Sequence, residues 1–149
     1  MLCIILLEFI TTGALKLDNL TYFKQVKAQK QIDRLARKYK NKKIVIYGCG
    51  EYFRILYQNF DLSGLNIVGI SDKKFEKQTD TNFTPYKPLA PEDLKYFDFD
   101  IILVALYDDT SMCNFLNYKL LINTPNEGKT VRSIIEPTFW YAVKVLIGR

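Results

Sequence analysis

A chain of 149 residues that is 48% hydrophobic is long enough for one domain with a buried core and too apolar to be disordered. Its formal charge of +5 is modest, and it has no histidine, which excludes a Ser-His-Asp or Cys-His engine, His-ligated metals and the commonest general acid/base. Cys3, Cys49 and Cys113 lie far apart with no Cys-x-x-Cys pairing, a reduced, cytosolic pattern rather than a disulfide framework or a zinc site.

The first ten residues, Met1–Ile10, are apolar but too short to span a bilayer, and they lack the basic start of a secretory signal. This segment is expected to dock on the core, on a partner chain or peripherally on a membrane. From Tyr22 to Tyr39, Tyr22, Phe23, Val26, Ile32, Leu35, Ala36 and Tyr39 recur at helical spacing, which predicts one amphipathic helix. Lys24, Lys27, Lys30, Arg34, Arg37, Lys38, Lys40, Lys42 and Lys43 are opposed there only by Asp33. Such a block is ordinarily a solvated face, and otherwise attracts an anionic surface. Nucleic acid is not an expected partner. Residues 1–41 read as an N-terminal extension and 42–149 as the main domain.

Lys43 to Tyr47 is a short run rich in β-branched residues, the pattern of a buried parallel strand. Gly48-Cys49-Gly50 follows, and Glu51 to Phe60 reads as a crossover helix with Phe53, Leu56, Tyr57 and Phe60 inward. Asn66 to Asp72 is a second buried strand. Lys73 to Thr84 is a polar loop, and Pro85 to Pro91 can hold only a short edge strand. Pro91-Glu92-Asp93 is a helix start. Asp100 to Leu106 is another central strand, Thr110 to Ile122 a helix, Thr130 to Ile135 a fifth strand, and Thr138 to Ile147 an aromatic-rich closing helix. Alternating strands and helices predict an α/β, Rossmann-like three-layer sandwich around a five-stranded parallel sheet of order 3-2-1-4-5. Ligand is then expected at the switch point, beside Gly48–Gly50 and the tip at Ala105–Asp108.

Gly48 permits a tight turn, Gly50 permits close backbone approach, and the helix that follows turns its free N–H groups to a phosphate. Asp72 lies about 20 residues on, the spacing at which a ribose hydroxyl is often read. The third fingerprint position holds Phe53 instead of glycine, which weakens the case for a standard dinucleotide site. Cys49 sits where a helix N-terminus can lower a thiol's pKa, although a small residue fitting between glycines is the plainer reading. Lys73 and Lys74 could favour a 2′-phosphate or simply form a solvated turn. Asp108 and Asp109 resemble a paired-carboxylate site, but they precede Thr110-Ser111 and a helix, so capping by at least one of them is the plainer reading, with Tyr107 beside them at the pocket mouth. Candidate ligand contacts are therefore Gly48, Cys49, Gly50, Glu51, Asp72 and Tyr107, with no catalytic residue or metal ligand assigned. Gly-Cys-Gly also resembles, weakly, the first motif of S-adenosylmethionine-dependent methyltransferases, but Ile46 stands where their acid usually does.

Ile44 to Phe53, Ile67 to Asp72, Pro91 to Leu94 and Phe99 to Val104 together resemble the small Rossmann-like domains found beside bacterial glycosyltransferases and FkbM-type methyltransferases. Related domains open sugar acyltransferases and dehydratases of surface-glycan pathways. The resemblance implies a bound nucleotide-sugar, with Gly48, Gly50 and Asp72 among its contacts. The leading expectation is a non-catalytic nucleotide- or nucleotide-sugar-binding accessory domain of surface-polysaccharide synthesis. A small NAD(P)-dependent sugar-modifying enzyme or its remnant, using Tyr107 or Cys49, is the alternative. A ligand-free interaction module is the third. Apolar residues at both termini point to a homodimer, a glycan-biosynthesis enzyme as partner, or a membrane contact.

Overall fold

The computed structural model describes residues 18–81 and 83–148, so the apolar Met1–Ile10 segment falls outside the described residues. The basic amphipathic stretch is two helices rather than one, α1 (Asn19–Gln25) and α2 (Ala28–Lys38). The break falls at Lys27, which takes a left-handed φ of 55°. The reason lies in the phase of the apolar residues. On one straight helix, at about 100° per residue, Phe23 and Val26 would face away from Ala28, Ile32 and Leu35. The break turns both sets onto one core, where all five are buried. Gln31 steadies the junction by donating to the Val26 carbonyl at 2.9 Å.

The sheet contains β1 (Ile44–Tyr47), β2 (Ile67–Ser71), β3 (Pro88–Leu89), β4 (Ile101–Val104) and β5 (Thr130–Ser133). All neighbours are parallel and the order is β3-β2-β1-β4-β5, the order the alternation of elements predicts. β1 and β4 are buried along their whole length, so both carry continuous apolar runs. β3 is two residues long and begins with proline, as an edge position requires. The β1–β2 register passes over Val68, pairing Ile44 with Ile67 and Val45 with Gly69.

α3 (Glu51–Asn59) leaves β1, α4 (Asp109–Phe115) leaves β4, and α5 (Phe139–Ile147) follows β5. The start at Pro91 makes only a 3₁₀ turn, Pro91–Lys95, and a second 3₁₀ turn, Lys73–Glu76, interrupts the expected loop. The helix predicted over 110–122 begins as α4 and changes to π winding at Leu116–Leu120. Asp108 caps α4 by accepting from the Ser111 N–H at 3.3 Å, and Asp109 accepts from the Ser133 hydroxyl. On one sheet face Phe23, Ile32, Phe53, Leu56 and Tyr141 pack with Ile44 and Ile46. On the other, Leu94, Leu116 and Leu120 pack with Val45 and Ile102, which completes three layers. Helices α1 and α2 thus share the core of the sheet. Among the described residues no helix is long and apolar enough to cross a membrane.

Candidate functional site

The expected site residues meet at the C-terminal ends of β1, β2 and β4. The β1–α3 turn is held by the protein itself. Gly48 has φ of 113°, and a Cβ there would lie 2.6 Å from the Ala105 carbonyl oxygen. Its missing side chain therefore lets the β1 turn pack on the β4 tip, and glycine is required by both conformation and space. Gly50 differs. It caps α3 in an extended conformation, and a Cβ built on it would meet nothing within 4 Å. Nothing in the fold demands glycine at this exposed position.

Cys49 lies between them, buried, with its peptide clamped from both sides. Its N–H donates to Asp72 Oδ2 at 2.7 Å, and its carbonyl accepts from Lys74 Nζ at 2.6 Å. The other Asp72 oxygen accepts from the Lys74 N–H at 3.0 Å and caps the short turn that follows β2. Asp72 thus links the ends of β1 and β2 through charge-assisted hydrogen bonds. Lys74, readable from sequence as part of a solvated turn, is a strut of the loop. The Cys49 thiol points to the Thr81 carbonyl at 3.8 Å. Burial pushes that thiol's pKa up, and Lys74 opposes the shift without overturning it. A thiol held protonated is a poor nucleophile, so the helix terminus does not activate Cys49.

Helix α3 presents the polar opening. No side chain caps its N-terminus, leaving the first-turn N–H groups at Glu51, Tyr52 and Phe53 without a side-chain acceptor. Glu51 stands at the rim, paired with Arg54, whose Nε and Nη2 both reach its carboxylate. Across the mouth, Tyr107 stacks edge-on against Tyr52 with ring centroids 5.1 Å apart, and its hydroxyl donates to Asn19 Oδ1. Burial raises the Tyr107 pKa, with Glu51 and Asp18 adding to the shift, so its phenol is a proton donor rather than a base. Tyr47, last in β1, is pushed up to about 12 by burial and by Asp72 and Glu76.

Asn19, Tyr52 and Thr81 are the neighbours that sequence reasoning did not place here. Asn19 and Thr81 reach the mouth only through the start of α1 and the loop after β2, and no local pattern marks either. Tyr52 was legible in principle, since it directly follows Gly50-Glu51 on the first turn of α3. Among the described residues, no group of three or more His, Cys, Asp or Glu side chains is placed to hold a metal ion.

Comparison with known proteins bears on the central strands. Residues 40–113 match the model of a family described as C2185-like, N-terminal, a description that names neither ligand nor reaction. That span covers β1 through β4 and the whole candidate mouth except Asn19. No curated protein and no solved structure gives a match.

Proposed function

We propose that this chain is an accessory domain that binds a nucleotide or nucleotide-sugar without transforming it. The observation that carries this reading is the uncapped first turn of α3, opening at the switch point of the sheet beside a glycine with free space around it. Open parallel sheets take their ligands at that point, and unpaired N–H groups on a helix terminus suit a phosphate. Gly50 leaves room for the phosphate to approach the backbone. Asp72 keeps lone pairs beyond the two it uses internally, available to a ribose hydroxyl. The link to bacterial surface-polysaccharide synthesis rests on the resemblance of the glycine loop, Asp72 and the strand at Ile101–Val104. An NAD(P)-dependent enzyme would need Cys49 or Tyr107 to react, and burial moves both pKa values away from activation.

A thermal-shift panel of UDP, UDP-sugars, NAD, NADP, CoA and S-adenosylmethionine tests the reading. A ligand at a hundred times its dissociation constant should stabilise the folded chain by about 2.7 kcal/mol. Gly50→Val should fold normally, because nothing opposes a side chain there, yet lose the shift with the nucleotide that stabilises the native chain. Unchanged affinity in the folded variant, or no stabilisation by any nucleotide, would remove the proposal.

A further inference from the structure

A second polar feature lies beside α2. A groove of about 370 Å³ runs between α2 and the β5–α5 connection, with Arg34, Lys38 and Arg132 on its walls. Gln31 holds its two sides together, donating to the Glu136 carbonyl at 2.8 Å and accepting from the Glu136 N–H at 2.9 Å. Arg132 reaches Glu136 with Nη2 at 3.1 Å, but its Nε is buried with no hydrogen-bond partner among the described residues. Arg132 is thus engaged by Glu136, and Arg34 and Lys38 are the cations the groove leaves to an anionic oxygen.

The cations of the groove continue along α2. Lys27, Lys30, Arg34, Arg37 and Lys38 fall on one stripe, and among the described residues no ion pair engages any of them. Asp33, the acid of that helix, accepts instead from Gln29. The chain then passes from the groove directly into α5. Tyr141 anchors α5 against Tyr22, with ring centroids 5.2 Å apart, and this directs the opposite face outward. Phe139, Trp140, Leu146 and Ile147 lie on that face, each more than 60% exposed. An outward apolar face with Lys144 exposed at its edge, starting at the end of a cationic groove, suits an interfacial helix. A second copy of the chain is the poorer occupant, because it carries the same formal charge of +5 as the surface it would cover.

We propose that α5 and the cationic groove form one docking surface for an anionic lipid bilayer. Headgroup phosphates seat at Arg34 and Lys38, and Phe139 and Trp140 enter the boundary between headgroups and acyl chains. The surface is independent of the mouth at β1 and β4.

Trp140 is the chain's one tryptophan, so its emission reports this surface alone. The full chain is titrated with phosphatidylcholine vesicles, with vesicles of equal parts phosphatidylcholine and phosphatidylglycerol, and with inorganic phosphate, and binding is checked by co-flotation. Expected are a blue shift and flotation with the anionic vesicles, both reversed by salt. Arg34→Gln with Lys38→Gln should weaken partitioning about thirtyfold, at the usual increment per basic residue near a charged surface. Phe139→Ala should reduce flotation while circular dichroism stays native. No shift with anionic vesicles overturns the proposal. So does an equal shift with inorganic phosphate, which would make the groove a small-anion site. A shift that grows with protein concentration without lipid would reveal self-association through α5 and overturn it as well. Flotation without a Trp140 shift would place the contact elsewhere on the chain and have the same consequence.

Discussion

The β1–α3 turn and the α2–α5 groove both concentrate charge, yet they use it in opposite ways. At the turn, Asp72 and Lys74 are directed inward, onto the N–H and carbonyl of Cys49. In the groove, Arg34 and Lys38 have no ion-pair partner among the described residues. Charges of the first kind hold a loop in place and contribute to stability. Charges of the second kind cost the folded state mutual repulsion and are useful only to something outside it. Net composition conceals this difference, because a paired and an unpaired lysine count alike.

Substitutions should separate the two regions by their effect on folding. Gly48→Ala should be the most damaging, at about 3 kcal/mol, because it adds left-handed strain to a clash with the Ala105 carbonyl. Denaturant unfolding would measure it, and a loss near zero would mean that the β1 turn moves freely away from the β4 tip. Asp72→Ala should cost about 2 kcal/mol by leaving the Cys49 N–H unpaired beneath the loop. If stability were unchanged while nucleotide binding fell, the carboxylate would serve the ligand and not the loop. Lys74→Met should cost about 1 kcal/mol, and it carries a second readout. Lys74 partly offsets the effect of burial on Cys49, so its removal pushes the thiol's pKa further up. Alkylation of Cys49 at neutral pH should then slow, and faster alkylation would show that the loop had opened. Smallest of all, Arg34→Gln with Lys38→Gln should leave the unfolding free energy within about 0.5 kcal/mol of the native chain. A larger loss would make the groove a structural feature like the turn and erase the contrast.

The sheet was readable because β1 and β4 are continuous apolar runs flanked by polar residues and glycine, and their burial on both faces requires that pattern. The division between α1 and α2 was also written in the sequence, as a slip in phase between Phe23-Val26 and Ala28-Ile32-Leu35. It carries no glycine or proline to announce it, and a window spanning both halves averages the slip away. The role of Lys74 was not readable, since its partner is a backbone carbonyl 25 positions away. The groove was still less so. Its walls come from α2 and from the residues after β5, and local periodicity contains no information about which distant segments share a boundary. At the candidate mouth, the pattern assigned the tight turn to Gly48 and close approach to Gly50. The surroundings add the reason: a Cβ at Gly48 would strike the Ala105 carbonyl, and one at Gly50 would meet nothing.

The paired amide bonds between Gln31 and the Glu136 backbone also constrain the order in which the chain can be completed. These residues are 105 positions apart. During synthesis α1 and α2 emerge long before the segment that closes against them, and contacts of such separation form slowly because loop closure precedes their reward. The buried side of α2 has β1 and α3 available early, but its junction with the β5–α5 connection must wait for nearly the whole chain. In that interval its cationic stripe is in water and its helix is incompletely braced. Pulse-labelling hydrogen exchange would place protection of the Glu136 N–H after that of β1 and β4.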